Sequence, residues 1–334
     1  MLRIAYDASA HYKNSPSLND VLHRDPVILP QLFRVLLRFR IGQIALILDV
    51  EKAFLQVRLH EQDRDATRCL WLRNCKLPPT TKNIQVLRFT RVTFGLITSP
   101  FLLAATTHFH LDQYKEDHAL VEEMKSNLYV DNLIVTVETE EDALRTYFKT
   151  EQMFKELSMN LREFMSNDTS IVHTMADSDK SMEKTPKVLG IPWRSNEDLL
   201  EISCKIMEQE QATKRIVAST IAMVFDPMGW MLPLLHKSKV FLRTLWRDKF
   251  DWDAALPPDR KLEWQRICEG MDGFKKLIPR FLSMEHLLFA KGKLPSLKHE
   301  ATIPKMELNA MTLAMRVTNA VLTQLQSVMK FIFY

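Results

Sequence analysis

Apolar residues in the first 200 positions come in short runs separated by polar turns, whereas beyond about position 205 they recur at helical spacing. The run Ile44-Ala45-Leu46-Ile47-Leu48 is too short for a helix and uniformly apolar. It therefore predicts a strand covered on both faces, with Asp49 at its C-terminal end. Further strands are expected over residues 69–72, 86–94, 127–130 and 133–137, and the Asp131-Asn132 dipeptide between the last two suits a hairpin. A helix is expected over 99–114, where Pro100 fits the first turn, and another over 139–157. The second opens on a cap-competent Thr139 followed by Glu140, Glu141 and Asp142, and turns Leu144, Tyr147, Phe148, Phe154 and Leu157 towards one side. Strands near 159–164 and 187–193 follow, with the polar stretch 167–187 read as a loop. Helical spacing then relates Phe241 or Leu242, Leu245 or Trp246, and Phe250, and again Ile267, Met271, Phe274 and Ile278. A boundary near 200 thus divides an α+β unit from a mostly helical one.

Composition narrows the class. The 334 residues are 46% hydrophobic and 26% charged, which fits a soluble globular chain of two or three sub-domains. Only seven glycines occur, in neither the G-x-x-x-x-G-K-S/T nor the G-x-G-x-x-G arrangement, so a glycine loop cradling phosphate is not expected. Cys69, Cys75, Cys204 and Cys268 form no C-x-x-C pair and read as reduced core thiols of an intracellular protein, not a zinc site. No signal-peptide pattern opens the chain, so secretion is not expected. The stretch 92–111 lacks Asp, Glu, Lys and Arg but contains Pro100 and several polar residues, and reads as a buried loop and helix, not a membrane span. Charge is segregated: net +7 over residues 1–100 (15 basic, 8 acidic), −9 over 101–200 (10 and 19) and +6 over 201–334 (20 and 14). Basic flanks around an acidic middle suit a polyanion gripped at two ends with metal-dependent chemistry between them; solvated surface helices give the same pattern.

Asp49 and Asp131 are the leading candidates for chemistry. Carboxylates on adjacent strand ends can converge on divalent metal, whose preferred ligands are hard oxygens, and two such ions can drive an in-line phosphoryl transfer. Spacing alone is equally met by two unrelated surface acids.

The local wording is more specific. Asp49-Val50-Glu51-Lys52-Ala53-Phe54 has the D-x-x-x-A-F pattern of reverse transcriptases, and Tyr129-Val130-Asp131-Asn132 resembles their Y-x-D-D turn. Phe94-Gly95-Leu96-Ile97-Thr98-Ser99-Pro100 between them looks like the family's third element. Finer wording resembles the BEL/Pao class of LTR retrotransposon. It comprises Tyr6-Asp7-Ala8-Ser9-Ala10, Ser17-Leu18-Asn19-Asp20, Leu36-Leu37-Arg38-Phe39-Arg40, Glu51-Lys52-Ala53-Phe54-Leu55-Gln56 and Asp63-Arg64-Asp65. Met159-Asn160-Leu161-Arg162-Glu163-Phe164 and Phe225-Asp226-Pro227-Met228-Gly229 complete it.

The resemblance implies an α+β fold. A polymerase palm, an antiparallel sheet backed by helices, would occupy 46–200, with partial fingers over 1–45. A mostly helical thumb- or connection-like region would follow over 201–280, and a remnant of a ribonuclease H-like domain over 281–334. The implied activity is RNA-directed DNA polymerisation by two-metal nucleotidyl transfer onto a primer 3′-hydroxyl. The cofactor would be Mg²⁺ or Mn²⁺, and the partners an RNA or DNA template with its primer and dNTPs. Asp49 and Asp131 would be catalytic and, with Val50, hold metal; Val50 and Glu51 would lie in the turn under the incoming triphosphate. Phe54 would be the aromatic gate against a ribose 2′-hydroxyl, or else plain core. Arg3 would contact triphosphate oxygens, or else form a surface ion pair. Gly95, Ser99 and Pro100 would shape the floor beneath the nascent base pair. Tyr129, Val130 and Asn132 would complete the turn, and Leu189, Gly190 and Trp193 would belong to a primer-holding hairpin. Trp193, Trp246 and Trp264 also fit packing roles, and His108 and His110 fit local hydrogen bonding.

The pattern departs from the family at several points. Asn132 replaces the second acid of the turn and carries no charge, which predicts an impaired metal site. Thr93 stands where related sequences often have Pro. The part of the fingers before Arg3, including a triphosphate-binding lysine, is absent from the sequence. Residues 294–298 and 302–308 resemble the stretch around the second acid of the ribonuclease H domain, Glu307. Residues 278–293, where the first strand with its Asp-Ala-Ser metal ligand should lie, contain no such motif, so ribonuclease H activity is not expected. The alternative function is a catalytically inactive nucleic-acid-binding remnant of a degenerate retroelement.

Overall fold

The computed structural model describes residues 6–23, 25–26, 28–181, 186–206, 211–282, 287–295 and 302–329. Two short helices come first: α1 (Leu18–Val21), where Ser17 and Asp20 form a capping box, and α2 (Leu32–Arg38), which buries Val35, Leu36 and Leu37. Strand β1 (Ile44–Val50) follows and is buried at every position except Asp49, which is half-buried. The chain continues through α3 (Ala53–Gln56), the exposed ribbon β2 (Arg68–Leu72) and β3 (Ile84–Arg88), α4 (Ser99–Leu111) and α5 (His118–Asn127). Next come β4 (Leu128–Tyr129), β5 (Asn132–Val137), α6 (Glu140–Glu156), β6 (Leu161–Ser166) and α7 (Thr169–Thr174).

The central sheet has the order β4-β5-β1-β6, with every neighbouring pair antiparallel. Alternation along β1 divides its side chains between two cores. Ile44, Leu46, Leu48 and Val50 pack with Leu103, Val121, Met124, Tyr147 and Phe154 from α4, α5 and α6, while Ala45 and Ile47 pack with Ile134, Leu36, Phe39 and Trp193. A strand covered on both faces carries no polar alternation, which is why β1 reads as an unbroken apolar run.

The second sheet joins β7 (Lys187–Val188), β8 (Ile191–Arg194), β9 (Leu199–Cys204) and, much later, β10 (Phe274–Pro279), in the order β10-β9-β8-β7. Between β9 and β10 lie α8 (Lys214–Met223), α9 (Leu232–Arg247) and α10 (Pro258–Glu269). They enclose a third core around Val217, Leu235, Phe241, Leu245 and Trp264. Helix α11 (Ile303–Met329) lays Val321, with Val317 and Leu325, against the core that contains α2.

The mixed α/β architecture with antiparallel sheets agrees with the class expected from the sequence, and several element boundaries are corrected. Residues 274–279, expected to extend a helix, form β10; Gly270 closes α10, Gly273 takes a positive φ of 72°, and pairing with β9 captures the apolar residues. The strand expected over 187–193 is a hairpin, turned at Leu189 (φ 47°) and Gly190 (φ 93°). The stretch 167–187 holds α7, capped by the Asp168 carboxylate accepting from the Ser170 N–H. Strand β3 ends at Arg88, where the chain turns back so that the Val92 N–H donates to the Val57 carbonyl. Helix α4 ends at Leu111. Among the described residues no helix is long and apolar enough to cross a membrane.

Candidate active site

Two features of local backbone bring the predicted acids to one corner of the central sheet. Asp49 pairs with Asn132 at the end of the β1–β5 ladder. The β4–β5 hairpin turns through Val130 and Asp131, one residue earlier than the Asp131-Asn132 turn expected. Val130 adopts φ 60°, a left-handed conformation that costs a β-branched residue and is held here by its surroundings. The Val50 N–H donates to the Asp131 carbonyl at 2.8 Å, which locks the turn to the end of β1.

The corner is rich in negative charge. Burial pushes the Asp49 carboxyl up to about 7, and repulsion from Asp131, Glu163 and Glu51 adds to the rise, with Arg162 opposing it. Arg162 faces Asp49 across the β1–β6 ladder, its Nε 3.9 Å from Asp49 Oδ1 and its Nη1 3.4 Å from Glu51 Oε1. Hydrogen bonds and charge from Lys52, together with Asn160, hold the Glu51 carboxyl below its usual range. The Asn132 amide donates to Asp131 Oδ1 at 2.9 Å.

Among the described residues no group of three or more His, Cys, Asp or Glu is arranged as a metal cage. What the corner offers is two half-buried carboxylates that repel each other beside the backbone of Val50. That oxygen set fits a hard divalent cation, whose binding would relieve the repulsion that raises the Asp49 proton affinity.

A second group of predicted residues gathers beside this corner. Phe54 is buried on α3, and its ring packs T-shaped with that of Phe94 at 5.1 Å between centroids. Gly95 adopts φ 97°, and a Cβ there would lie 2.0 Å from the Tyr6 carbonyl, so only glycine fits. Ser99 Oγ donates to the Thr93 carbonyl at 2.6 Å, and Pro100 occupies the first turn of α4.

Three further candidates belong to the second sheet. Leu189 and Gly190 form the tip of the β7–β8 hairpin in the second sheet. Trp193 is fully buried, edge-on to Phe39 at 5.3 Å, with its indole N–H donating to Asp198 Oδ1, so its side chain is a packing group. Arg3 lies outside the described residues. His110 Nε2 sits 2.8 Å from the Met153 carbonyl, the local bonding expected of it. Tyr129 pairs with Asn132 in the hairpin. Sequence reasoning missed Arg162 and Asn160 as neighbours of the acids, although both lie in the quoted motif around Leu161.

Two family models match the chain. The model of reverse transcriptase (RNA-dependent DNA polymerase) covers residues 22–191, just over half of the chain and including both aspartates, Phe54 and Gly95. The model of the Pao retrotransposon-like RNaseH-like domain covers residues 213–286 and 283–334. A search of curated proteins finds no match. With its aspartates at one sheet corner inside the first match and the Pao-type domain after it, the chain belongs to the reverse transcriptase family, in its BEL/Pao retrotransposon branch.

Proposed function

We propose that the chain is an RNA-directed DNA polymerase of retrotransposon origin, extending a primer on an RNA or DNA template with dNTPs. The convergence of Asp49 and Asp131 where β1 meets the β4–β5 hairpin carries this reading. In it, residues 46–200 are the palm, 1–45 belong to the fingers, 201–280 form a thumb- or connection-like region and 281–334 are ribonuclease H-like.

Asp49 and Asp131, with the Val50 carbonyl, would hold Mg²⁺ or Mn²⁺, and cations bound there supply Lewis acidity to the primer hydroxyl and the leaving pyrophosphate. The backbone of Val50 and Glu51 lies beneath the triphosphate. The Phe54 ring fills the space a ribose 2′-hydroxyl would need, which favours deoxynucleotides by sterics. The Gly95 turn and the start of α4 at Ser99 and Pro100 support the nascent base pair. The hairpin tip at Leu189 and Gly190 holds the primer strand.

One observation favours a second reading, a nucleic-acid-binding protein without catalysis. The amide of Asn132 stands where the family has an acid and occupies a lone pair of Asp131 Oδ1. Primer extension on a homopolymer template with Mg²⁺ or Mn²⁺ separates the two. Polymerisation predicts activity lost in Asp49→Ala and raised in Asn132→Asp. The binding reading predicts no extension by any form, with duplex affinity retained and falling steeply with salt.

A further inference from the structure

The segment Ser17-Leu18-Asn19-Asp20 has no part in the chemistry above, yet its asparagine is bonded to the floor of the candidate nucleotide pocket. The Asn19 amide nitrogen donates to the Gly95 carbonyl at 2.8 Å and to Ser9 Oγ at 2.8 Å, while its oxygen accepts from the Ile97 N–H at 3.0 Å. Its own backbone N–H donates to the Ala8 carbonyl at 2.9 Å. The chain around Ser9 and, from far along the sequence, the turn at Gly95 therefore meet at one carboxamide. The capping box of Ser17 and Asp20 fixes the short helix that presents it: the Ser17 N–H and Oγ both donate to Asp20 Oδ2, at 2.9 and 2.8 Å. Asparagine suits the position because it offers two donors and an acceptor on one planar group. Aspartate would keep the acceptor but set a carboxylate against the Gly95 carbonyl, and alanine would leave all three partners open.

The turn that Asn19 holds carries Phe94, and the Phe94 ring packs T-shaped with that of Phe54. Ser99 Oγ ties the same turn from its other side through the Thr93 carbonyl, and the Tyr6 carbonyl presses on Gly95. We propose that Asn19 is a positioning residue for sugar selection, fixing the Gly95–Ile97 turn so that Phe94 braces the Phe54 ring at the 2′ position of the incoming nucleotide. The proposal rests on the polymerase reading of the site.

The test compares the wild type with Asn19→Ala and Asn19→Asp in two ways. In single-nucleotide primer extension, the ratio of kcat/KM for a dNTP to that for the matching rNTP is expected to fall about tenfold in Asn19→Ala and also in Asn19→Asp. A role confined to folding would lower both rates in parallel and leave the ratio unmoved, which overturns the proposal. The second measurement needs no activity: the ¹⁹F spectrum of protein labelled with 4-fluorophenylalanine, with resonances assigned through Phe54→Leu and Phe94→Leu. Asn19→Ala is expected to shift and broaden the Phe54 and Phe94 signals and leave those of the third core in place; unchanged Phe54 and Phe94 signals refute the bracing. Failure of the polymerase reading is distinct, because neither the wild type nor Asn132→Asp would then extend a primer with either sugar. The fluorine spectrum would still decide whether Asn19 places the two rings.

Discussion

Arg162 faces Asp49 across the β1–β6 ladder with its Nε 3.9 Å from Oδ1, and that buried nitrogen has no hydrogen-bond partner. A one-residue irregularity sets this pairing. Between Ile47↔Met165 and Asp49↔Arg162, Glu163 and Phe164 oppose Leu48 alone, and Glu163 takes φ 53°. The Phe164 N–H donates instead to the Asp179 carbonyl, and its own carbonyl accepts from the Ser181 N–H. Without the bulge, the alternation of β6 would send the guanidinium to the other face.

The guanidinium therefore acts as an internal counter-ion for the acids, and it competes with any cation they bind. Arg162→Met is expected to tighten Mn²⁺ binding about tenfold, or ~1.4 kcal/mol, a modest result for removing one charge a few ångströms from a divalent ion. Titration of the nucleic-acid-free protein with Mn²⁺, followed by EPR, gives the answer. Weaker binding in the variant would show that Arg162 organises the acids and does not oppose the metal.

Asn132→Asp is expected to act in opposite directions with and without metal. A further carboxylate beside Asp49 and Asp131 adds repulsion, so the metal-free variant should lose about 1 kcal/mol of stability. Mn²⁺ should restore it, because ligand bound only by the folded state stabilises by mass action. Thermal melts with and without Mn²⁺ check this, and a deficit that Mn²⁺ leaves untouched would argue against a cation at this corner.

The parts of the fold legible in the sequence are those set by local pattern. β1 is readable because both of its faces are buried, and α6 because Thr139 caps it and its Oγ accepts from the Asp142 N–H. β10 is not, because Ile267, Met271, Phe274 and Ile278 keep helical spacing across a break that only pairing with distant β9 makes into a strand. The hairpin turn is displaced by one residue because left-handed Val130 carries no turn signature, whereas Asp131-Asn132 does. At the site, the acids and Phe54 are visible as motifs. The place of Arg162 depends on a bulge, and that of Asn19 on its meeting with the distant turn at Gly95, neither of which is a local property of the chain.

Arg280 is fully buried, and all five of its N–H groups are used. Nε and Nη2 donate to the two oxygens of Asp198 at 2.6 and 2.9 Å, Nη1 donates to the Phe39 and Gly42 carbonyls, and Nη2 also reaches the Gln43 carbonyl. Arg40, nearly as buried, donates to the Pro279, Arg280 and Leu287 carbonyls. These two side chains join the turn before β1 to the end of β10. Arg280→Met should cost about 3–5 kcal/mol because it leaves the Asp198 carboxylate without its guanidinium and three carbonyl contacts unmade. Arg280→Lys should cost less, and Arg280→Met with Asp198→Asn should cost less than the sum of the two single changes. Urea unfolding followed by tryptophan fluorescence measures all four; strictly additive losses would show that the pair is not coupled.

Glu123 on α5, like Asp49, adds a pH dependence. Burial pushes its carboxyl from 4.5 up to about 7, and Arg38 offsets only part of the rise. Arg38 is itself tied down: it donates to Asn127 Oδ1 at 2.7 Å, to the Ser126 carbonyl and to Gln324 of α11, and burial lowers its own value to about 10. A carboxyl whose folded value lies above its unfolded one takes up a proton on folding, so its contribution is complete below pH 4.5 and is lost as pH rises through about 7. Glu123→Gln mimics the protonated side chain at every pH. The two proteins should therefore melt together near pH ~4, below the ordinary value of the carboxyl, and at pH 8 the glutamine form should be the more stable by roughly 1–3 kcal/mol. Melting temperatures of both proteins across that range decide it. A wild type that stays the more stable at pH 8 would mean that attraction to Arg38 outweighs the cost of burying the charge.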